Sequence, residues 1–96
     1  MNSYRLSSAA QRDLDEIFNY SFQQWGTAQA VDYIDILEAA CSELAETPSQ
    51  GQDCNYIRPG YRRRHVERHA IYYRIEPFGV AIIRILHHRQ DILRHL

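Results

Sequence analysis

The residues best suited to chemistry in this sequence are arginines that lie among tyrosines in its second half. Arginine presents a planar fork of donors that binds carboxylates or phosphates through paired hydrogen bonds, and it stacks on aromatic rings. The basic cluster contains Arg58, Arg62, Arg63, Arg64, Arg68, Arg74, Arg84 and Arg89, interleaved with Tyr56, Tyr61, Tyr72 and Tyr73. Such a surface can bind RNA by stacking and phosphate contact, or an acidic protein segment through its carboxylates. The plain structural alternative is a solvated strand face that pairs with acids of the same fold.

The charge of the chain is divided almost by halves. Residues 1–57 carry two arginines against nine acidic residues, a balance of −7, and residues 58–96 carry nine arginines against three, a balance of +6. We therefore expect the basic half to bind an acidic partner, with part of it paired internally. Because alternate residues of a strand face opposite sides, Arg62 and Arg64 oppose Arg63, and one side is free to pair with helix acids.

All five histidines also lie in the second half. His87 and His88 are adjacent at the end of a predicted strand, so we expect them to face opposite sides and not to share a metal ion. His65 and His69 can meet across a hairpin, and we expect one of each pair to be exposed and the other to pack beside a tyrosine. No Asp or Cys spacing supports a metal site, and GxGxxG, P-loop lysine and HExxH motifs are absent. The sequence therefore predicts neither a metal nor a cofactor.

The first half of the sequence predicts a short strand followed by a helical hairpin. Residues 4–7 are predicted to be the strand, and Ser8 with Gln11 has the form of a capping box. Gly26 is expected to end the first helix and Thr27 to cap the second, so the two helices must fold back on each other. The buried helix faces are predicted to contain Ala10, Leu14, Ile17, Ser21 and Trp25, then Ala30, Ile34, Leu37, Cys41 and Leu44.

The second half predicts a loop and then a three-stranded meander. Residues 48–60 are predicted to be the loop, and residues 61–66, 69–76 and 80–87 the strands, with a tail that forms one or two helical turns. The order predicts an α+β fold, in which an N-terminal strand and a helical hairpin packed on an antiparallel sheet are completed by the C-terminal meander. An aromatic stripe is expected in the core, formed by Trp25, Tyr33 and Tyr73 with Ile71.

Length and hydropathy limit the class of protein. The 96 residues predict a single domain, residues 1–96, with one modest core. No apolar run reaches the roughly 18 residues of a membrane span, and no basic-then-apolar signal segment begins the chain. We therefore expect a cytoplasmic protein without membrane contact, in which Cys41 and Cys54 remain free thiols.

Several segments, taken in order, resemble the ParE branch of the RelE/ParE toxin superfamily. They are Tyr4-Arg5-Leu6-Ser7 with residues 9–17, Trp25-Gly26, Ile57-Arg58-Pro59-Gly60-Tyr61-Arg62, Ile71-Tyr72-Tyr73-Arg74, and Ile83-Arg84-Ile85-Leu86-His87 with Arg89-Gln90-Asp91. The joint order is the specific feature, above all the Tyr-Arg pair after the hairpin. One departure is Glu67-Arg68, at a turn where many relatives have glycine, which leaves the tightness of that turn open.

The resemblance implies a non-enzymatic toxin of a type II toxin–antitoxin pair, with a role in plasmid or chromosome stability. Such a toxin inhibits DNA gyrase, and hence replication, by binding, and a ParD-like antitoxin with an acidic amphipathic tail neutralises it. Direct nucleic-acid binding is not expected. The candidate antitoxin-binding residues are Arg58, Tyr61, Arg62, Arg64, Arg74 and Arg84. The candidate target-binding residues are His87, His88, Arg89 and Arg94.

Two alternatives remain open on the sequence. The RelE branch of the superfamily cleaves mRNA on the ribosome, a reaction that needs an acid, a base and cations for the phosphorane charge. This sequence has no lysine and no tyrosine after Tyr73, so only a partial catalytic set of Arg74, Arg84 and His88 can be assembled. The second alternative is a degenerate toxin that retains only antitoxin binding.

Overall fold

A helical hairpin lies against one face of a five-stranded sheet in the computed structural model, which describes residues 3–96. The elements are β1 (Ser3–Leu6), α1 (Ser8–Trp25), α2 (Thr27–Glu46), β2 (Gln52–Asp53), β3 (Tyr61–Val66), β4 (His69–Glu76), β5 (Gly79–His87) and α3 (Ile92–His95). The sheet order is β1-β5-β4-β3-β2, with β1 parallel to β5 and the other neighbours antiparallel. The predicted α+β fold is confirmed. Its helical hairpin and three-stranded meander occupy the expected residues.

The helix caps differ from the sequence prediction by one residue each. Ser7 caps α1: its Oγ accepts a hydrogen bond from the Ala10 N–H at 3.0 Å and donates one to the Ile83 carbonyl at 2.7 Å. The predicted Ser8 cap is wrong because Ser8 already lies in the helix, while Ser7 has an acceptor on β5 that the sequence does not reveal. Gly26, at φ 91°, ends α1 and also begins α2, so Thr27 is the first helical residue and not the cap.

The core lies between the hairpin and the inner sheet face, as the periodicity predicts. It contains Ala10, Leu14, Ile17, Tyr33, Leu37, Cys41, Leu44, Ile71, Tyr73, Val80, Ile82 and Ile85. The prediction that Trp25 belongs to the core is wrong, since its side chain is 45% exposed. Trp25 is the last residue of α1 and packs edge-on against Tyr20, with the Arg68 guanidinium 5.1 Å from its ring centre. It therefore belongs to a surface and not to the core.

The predicted loop 48–60 has more structure than its composition indicates. Pro48–Gln50 forms a 3₁₀ turn, and the two-residue strand β2 pairs with β3. Buried Tyr73 organises this segment, because its hydroxyl donates to the Pro48 carbonyl at 2.7 Å and accepts the Gly51 N–H at 2.9 Å. A side chain at Gly51 would overlap the Tyr73 ring. A strand of two residues has no detectable alternation, so β2 is defined only by its long-range pairing with β3, beside the segment that Tyr73 holds.

Two irregularities in the meander set which residues reach each surface. The β3–β4 turn is tight, with Val66 paired to His69, and Glu67 adopts φ 54° in the region that favours glycine. The departure from glycine at this turn is therefore accommodated by backbone strain.

A bulge between β4 and β5 pairs Tyr73 with Ile82 but Tyr72 with Arg84. This one-residue shift turns Arg84 away from the core and leaves Ile85 buried.

Candidate binding cleft and outer sheet face

A cleft of about 610 Å³ separates α1 from the far end of β5 and the β3–β4 turn. Its α1 wall is formed by Asp13, Glu16, Ile17, Tyr20, Ser21 and Trp25, and its other wall by Arg68, His69, Ile85, His87, His88, Arg89 and Gln90. Three predicted target-binding residues, His87, His88 and Arg89, therefore lie together on one wall. The fourth, Arg94, lies outside the cleft lining on α3, where its side chain is exposed. The aromatic residues of the α1 wall were not predicted as site residues.

The histidines of the cleft form a contiguous series that begins at a tyrosine. The Tyr33 hydroxyl lies 2.6 Å from Nδ1 of His69, the His69 and His87 ring centres are 5.3 Å apart, and the His87 and His88 rings stack at 4.3 Å. The expectation that His87 and His88 face opposite sides is wrong because β5 ends at His87 and the chain turns there. The expectation that one of His65 and His69 packs beside a tyrosine is confirmed, since His65 is exposed and His69 is buried against Tyr33.

Burial and the neighbouring side chains lower the pKa of two of these rings. Burial, reinforced by His87, Arg68 and His88, lowers the pKa of His69 to about 4. Burial also lowers the pKa of His87, and the nearby His88 and two arginines act in the same direction. The backbone N–H of Arg89 donates to His87 Nδ1 at 3.1 Å, which requires that nitrogen to be unprotonated. The permanent positive charge of the cleft is therefore that of Arg68 and Arg89.

Arg68 fixes the wall of the cleft at the β3–β4 turn. Its guanidinium lies 5.1 Å from the Trp25 ring centre and 5.3 Å from that of Tyr33. Its backbone N–H donates to the Tyr33 hydroxyl at 3.3 Å, and its carbonyl accepts the His88 N–H at 3.0 Å. These contacts connect Arg68, in the β3–β4 turn, to both helices and to the end of β5. A single residue therefore links the elements that bound the cleft.

Asp13 and Arg84 form an ion pair at the edge of the cleft. Arg84 donates from Nε and Nη2 to the two oxygens of Asp13, each at 2.8 Å, and the Ile85 N–H donates to the same carboxylate at 2.9 Å. The hydrogen bond to Asp13 raises the pKa of Arg84. The third guanidinium nitrogen, Nη1, donates to the His95 carbonyl at 3.0 Å. All three nitrogens of Arg84 therefore have acceptors within the chain.

The three consecutive arginines of β3 divide between two faces, as the alternation predicts. Arg62 donates to the carbonyls of Ser49 and Gly51, at 3.2 and 3.0 Å. Arg64 pairs with Glu43 of α2 at 2.7 Å, which confirms that part of the basic half is neutralised by helix acids. Arg63 lies on the opposite face and donates from Nε to Gln52 at 3.1 Å. The proposed antitoxin role of Arg62 and Arg64 stays a prediction, and both side chains have internal partners.

The opposite side of the sheet, here called the outer sheet face, carries a row of residues from four strands. Arg5 of β1 is in register with Ala81 of β5, Ala81 with Arg74 of β4, and Arg74 with Tyr61 of β3. The Arg5 guanidinium lies 4.0 Å from the Phe78 ring centre, and that of Arg74 lies 5.9 Å from the Tyr61 ring centre. Arg74 also approaches Glu76 at 3.3 Å. Arg5 was not predicted, since it lies in the acidic half and only the parallel pairing with β5 brings it here.

Arg58 is directed to the C-terminal segment of the chain. Its Nη2 donates to the Leu96 backbone oxygen at 2.9 Å. Of the predicted antitoxin-binding residues, Tyr61 and Arg74 share the outer sheet face with Arg63, while Arg58 and Arg84 both hold backbone oxygens of residues 95 and 96.

The partial catalytic set is not brought together. Arg74 lies on the outer sheet face, His88 lines the cleft, and Arg84 is paired with Asp13. Among residues 3–96, no group of three or more His, Cys, Asp or Glu side chains is arranged to hold a metal ion. Over the same described range, no helix has the length and apolar character needed to cross a membrane.

Comparison with known proteins identifies the family. The family model described as ParE toxin of type II toxin-antitoxin system, parDE, matches residues 4–92. This chain belongs to the ParE toxin family. Toxin ParE1 of Caulobacter vibrioides is 44% identical over 96 residues, covering 100% of this chain and 99% of the relative. Toxin ParE1 of Mycobacterium tuberculosis is 39% identical over 94 residues, covering 97% and 96%.

The ParE fold also agrees with a solved structure. A chain of the chromosomal ParDE TA system from P. aeruginosa matches with a TM-score of 0.78 at 22% identity, over 91% of this chain and 96% of that chain. At this identity the likeness concerns the fold. The ParE resemblance drawn from the sequence is confirmed by the family match and by the relatives.

Proposed function

We propose that this ParE-family toxin inhibits DNA gyrase by binding to it, without catalysis, and that the cleft is the surface that contacts gyrase. The observation that carries the proposal is the composition of the cleft, in which exposed Tyr20 and Trp25 face Arg68 and Arg89 across about 610 Å³. Aromatic and arginine side chains contribute most of the binding energy at protein interfaces. The separation of Arg74, Arg84 and His88 also supports binding over RNA cleavage.

The test is a supercoiling assay with purified toxin, gyrase and relaxed plasmid. We expect wild-type toxin to inhibit supercoiling, and Trp25→Ala with Arg68→Gln to lose most of that inhibition. Arg12→Gln is the matched control, since it removes an exposed guanidinium of α1 that does not line the cleft. Unchanged supercoiling at a large molar excess of wild-type toxin would refute the gyrase proposal. Codon-linked cuts, detected by primer extension on translating ribosomes, would instead favour the mRNA endonuclease.

We further propose that a ParD-like antitoxin neutralises this toxin by placing an acidic amphipathic tail on the outer sheet face. Arg5, Arg63 and Arg74 supply positive charge there, and Tyr61, directly opposite Arg74, supplies an aromatic surface. Within residues 3–96, neither Arg5 nor Arg63 has a carboxylate within 4.0 Å, so both remain available to carboxylates of a partner. Of the residues predicted from the sequence, Tyr61 and Arg74 fit this site directly.

The antitoxin proposal is tested by titration calorimetry of the toxin with its ParD-like antitoxin, whose gene we expect to lie beside the toxin gene. The Arg74 side chain is 46% exposed, so solvent partly screens any ion pair that it forms with the antitoxin. Arg74→Gln is therefore expected to weaken the free energy of antitoxin binding by about 0.5–1 kcal/mol. The double variant Arg63→Gln, Arg74→Gln should cost about 1–2 kcal/mol if both arginines become desolvated. An affinity equal to that of Arg12→Gln would place the interface elsewhere.

A further inference from the structure

Arg84 makes contacts on both sides of the sheet. On the helix side it holds Asp13 of α1 through two hydrogen bonds of 2.8 Å, and Asp13 lines the cleft. On the other side its Nη1 donates to the carbonyl of His95 in α3. The bulge in β5 makes this arrangement possible, because it turns Arg84 away from the core and opposite Tyr72. One side chain therefore joins the cleft to the end of the chain.

The segment that Arg84 reaches, residues 91–96, is called the tail here. Its helix α3 has four residues and begins at the Asp91 cap, whose side chain accepts the Leu93 N–H at 3.0 Å. Ile92 and Leu96 are half-buried and cover a small apolar patch of Ala70, Tyr72 and Leu86. Leu93 is 74% exposed. A helix this short is not stable by itself, so the position of the tail depends on the contacts that dock it.

Two of those contacts are guanidinium hydrogen bonds to backbone oxygens. Arg84 holds His95 at 3.0 Å and Arg58 holds Leu96 at 2.9 Å. Ile92, His95 and Leu96 are half-buried and the other tail residues are exposed, so few contacts hold the tail, and elements with few contacts open locally at a low free-energy cost. Loss of the hydrogen bond from either arginine should therefore lower the fraction of molecules in which the tail is docked.

Asp13 determines where Arg84 points. Asp13 is buried, with 7% of the residue exposed, and its carboxylate accepts three hydrogen bonds, two of them from Arg84. Because the guanidinium is planar, fixing Nε and Nη2 on a carboxylate also fixes the direction of Nη1. The geometry of the bond from Arg84 to His95 is thus set by a residue that lines the cleft and does not itself touch the tail.

We propose that Asp13 and Arg84 form a latch that couples the cleft to the tail. Asp13 is a positioning residue that acts through Arg84. A partner that places a guanidinium or ammonium group against Asp13 in the cleft draws the carboxylate from Arg84, and the tail then undocks. Undocking exposes the patch of Ala70, Tyr72 and Leu86 together with the apolar side chains of Ile92 and Leu96 that cover it. The coupling is reciprocal, so a partner that captures the undocked tail also changes the cleft. It is a property of the free protein, independent of the identity of the toxin's target.

The test follows the tail by NMR in the full-length protein without any partner. The methyl shifts of Ile92 and Leu96 report docking, since both side chains pack on the cluster that contains the Tyr72 ring. Asp13→Asn is expected to lower the docked-to-undocked ratio about tenfold, which corresponds to loss of one charge-assisted hydrogen bond. Arg58→Gln should have a similar effect through the other bond, and Arg12→Gln should have none.

A thermodynamic cycle separates the latch from general loss of structure. If Asp13 acts through Arg84, Asp13→Asn should change the docking ratio less than twofold in an Arg84→Lys background. An equal effect in both backgrounds, or a tail as well docked in Asp13→Asn as in Arg12→Gln, would overturn the proposal. Should Asp13→Asn fail to fold, the docking of the tail in the Arg84→Lys variant tests the proposal instead. An undocked tail with unchanged β5 amide shifts supports the latch, and a docked tail refutes it.

Discussion

The stability of this protein should fall steeply between pH 7 and pH 5 because of one buried histidine. His69 is buried beside Tyr33 and His87, and its pKa is lowered from 6.5 to about 4 in the folded protein. In the unfolded chain the ring titrates near 6.5, so between these values the unfolded state binds more protons. The stabilisation that a neutral His69 provides is therefore fully present above pH 6.5 and is lost progressively as the pH falls toward 4.

The magnitude follows from the two pKa values. A full difference of this size corresponds to about 3 kcal/mol, since each pKa unit is worth about 1.4 kcal/mol. By pH 5 most of the unfolded chains are protonated at His69 and most of the folded ones are not. The expected loss of unfolding free energy from pH 7 to pH 5 is then about 2 kcal/mol from this residue alone. That is a large fraction of the stability of a small domain.

The assay is urea denaturation at pH 7, 6 and 5 of wild type and of His69→Gln, with His65→Gln as the matched control on an exposed histidine. His69→Gln should lower stability at pH 7 but show a pH dependence smaller by about 2 kcal/mol, because the titrating ring is gone. His65→Gln should follow wild type. The pKa of His87 is also lowered, so His87 adds to the pH dependence of stability. Because all the variants retain His87, its contribution cancels when they are compared with wild type. Equal pH dependence in wild type and His69→Gln would refute the account of a neutral buried ring.

Three further predictions concern the stability or reactivity that single residues determine. Ser7→Ala should lower the free energy of unfolding by about 1–2 kcal/mol in urea denaturation, because it removes both the α1 cap and the bond to Ile83; a change under 0.3 kcal/mol would contradict this role. Glu67→Gly should raise stability by about 0.5–1 kcal/mol in the same assay, since relief of the left-handed strain exceeds the entropy cost of glycine. Burial raises the pKa of the Cys41 thiol to about 12, so this thiol should react with a disulfide reagent only after unfolding; rapid reaction in the native protein would contradict its burial.

Much of the fold followed from local patterns in the sequence. The helical hairpin, the end of α1 at Gly26 and the three meander strands were predictable, because each depends on periodicity or turn chemistry within a few residues. The division of Arg62 and Arg64 from Arg63 was equally predictable, since it requires only the alternation of a strand. The family followed from the order of these segments, which the comparisons confirm.

The composition of the candidate surfaces was only partly predictable. His87, His88 and Arg89 were singled out from the sequence and do share the cleft. Trp25 and Tyr20 were not, because helical spacing places Trp25 on the buried stripe while its position at the helix end leaves it at the surface.

What the sequence determined by itself is thus the helical hairpin, the longer strands and the faces of each, because these depend on neighbours along the chain. Tertiary structure decided which distant residues meet. The parallel pairing of β1 with β5 brings Arg5 beside the row of Arg74, and the β5 bulge directs Arg84 to both Asp13 and His95. Ser7 caps α1 in place of Ser8 because an acceptor on β5 lies within reach. Such contacts depend on strand register and on a single extra residue, and no local propensity encodes either.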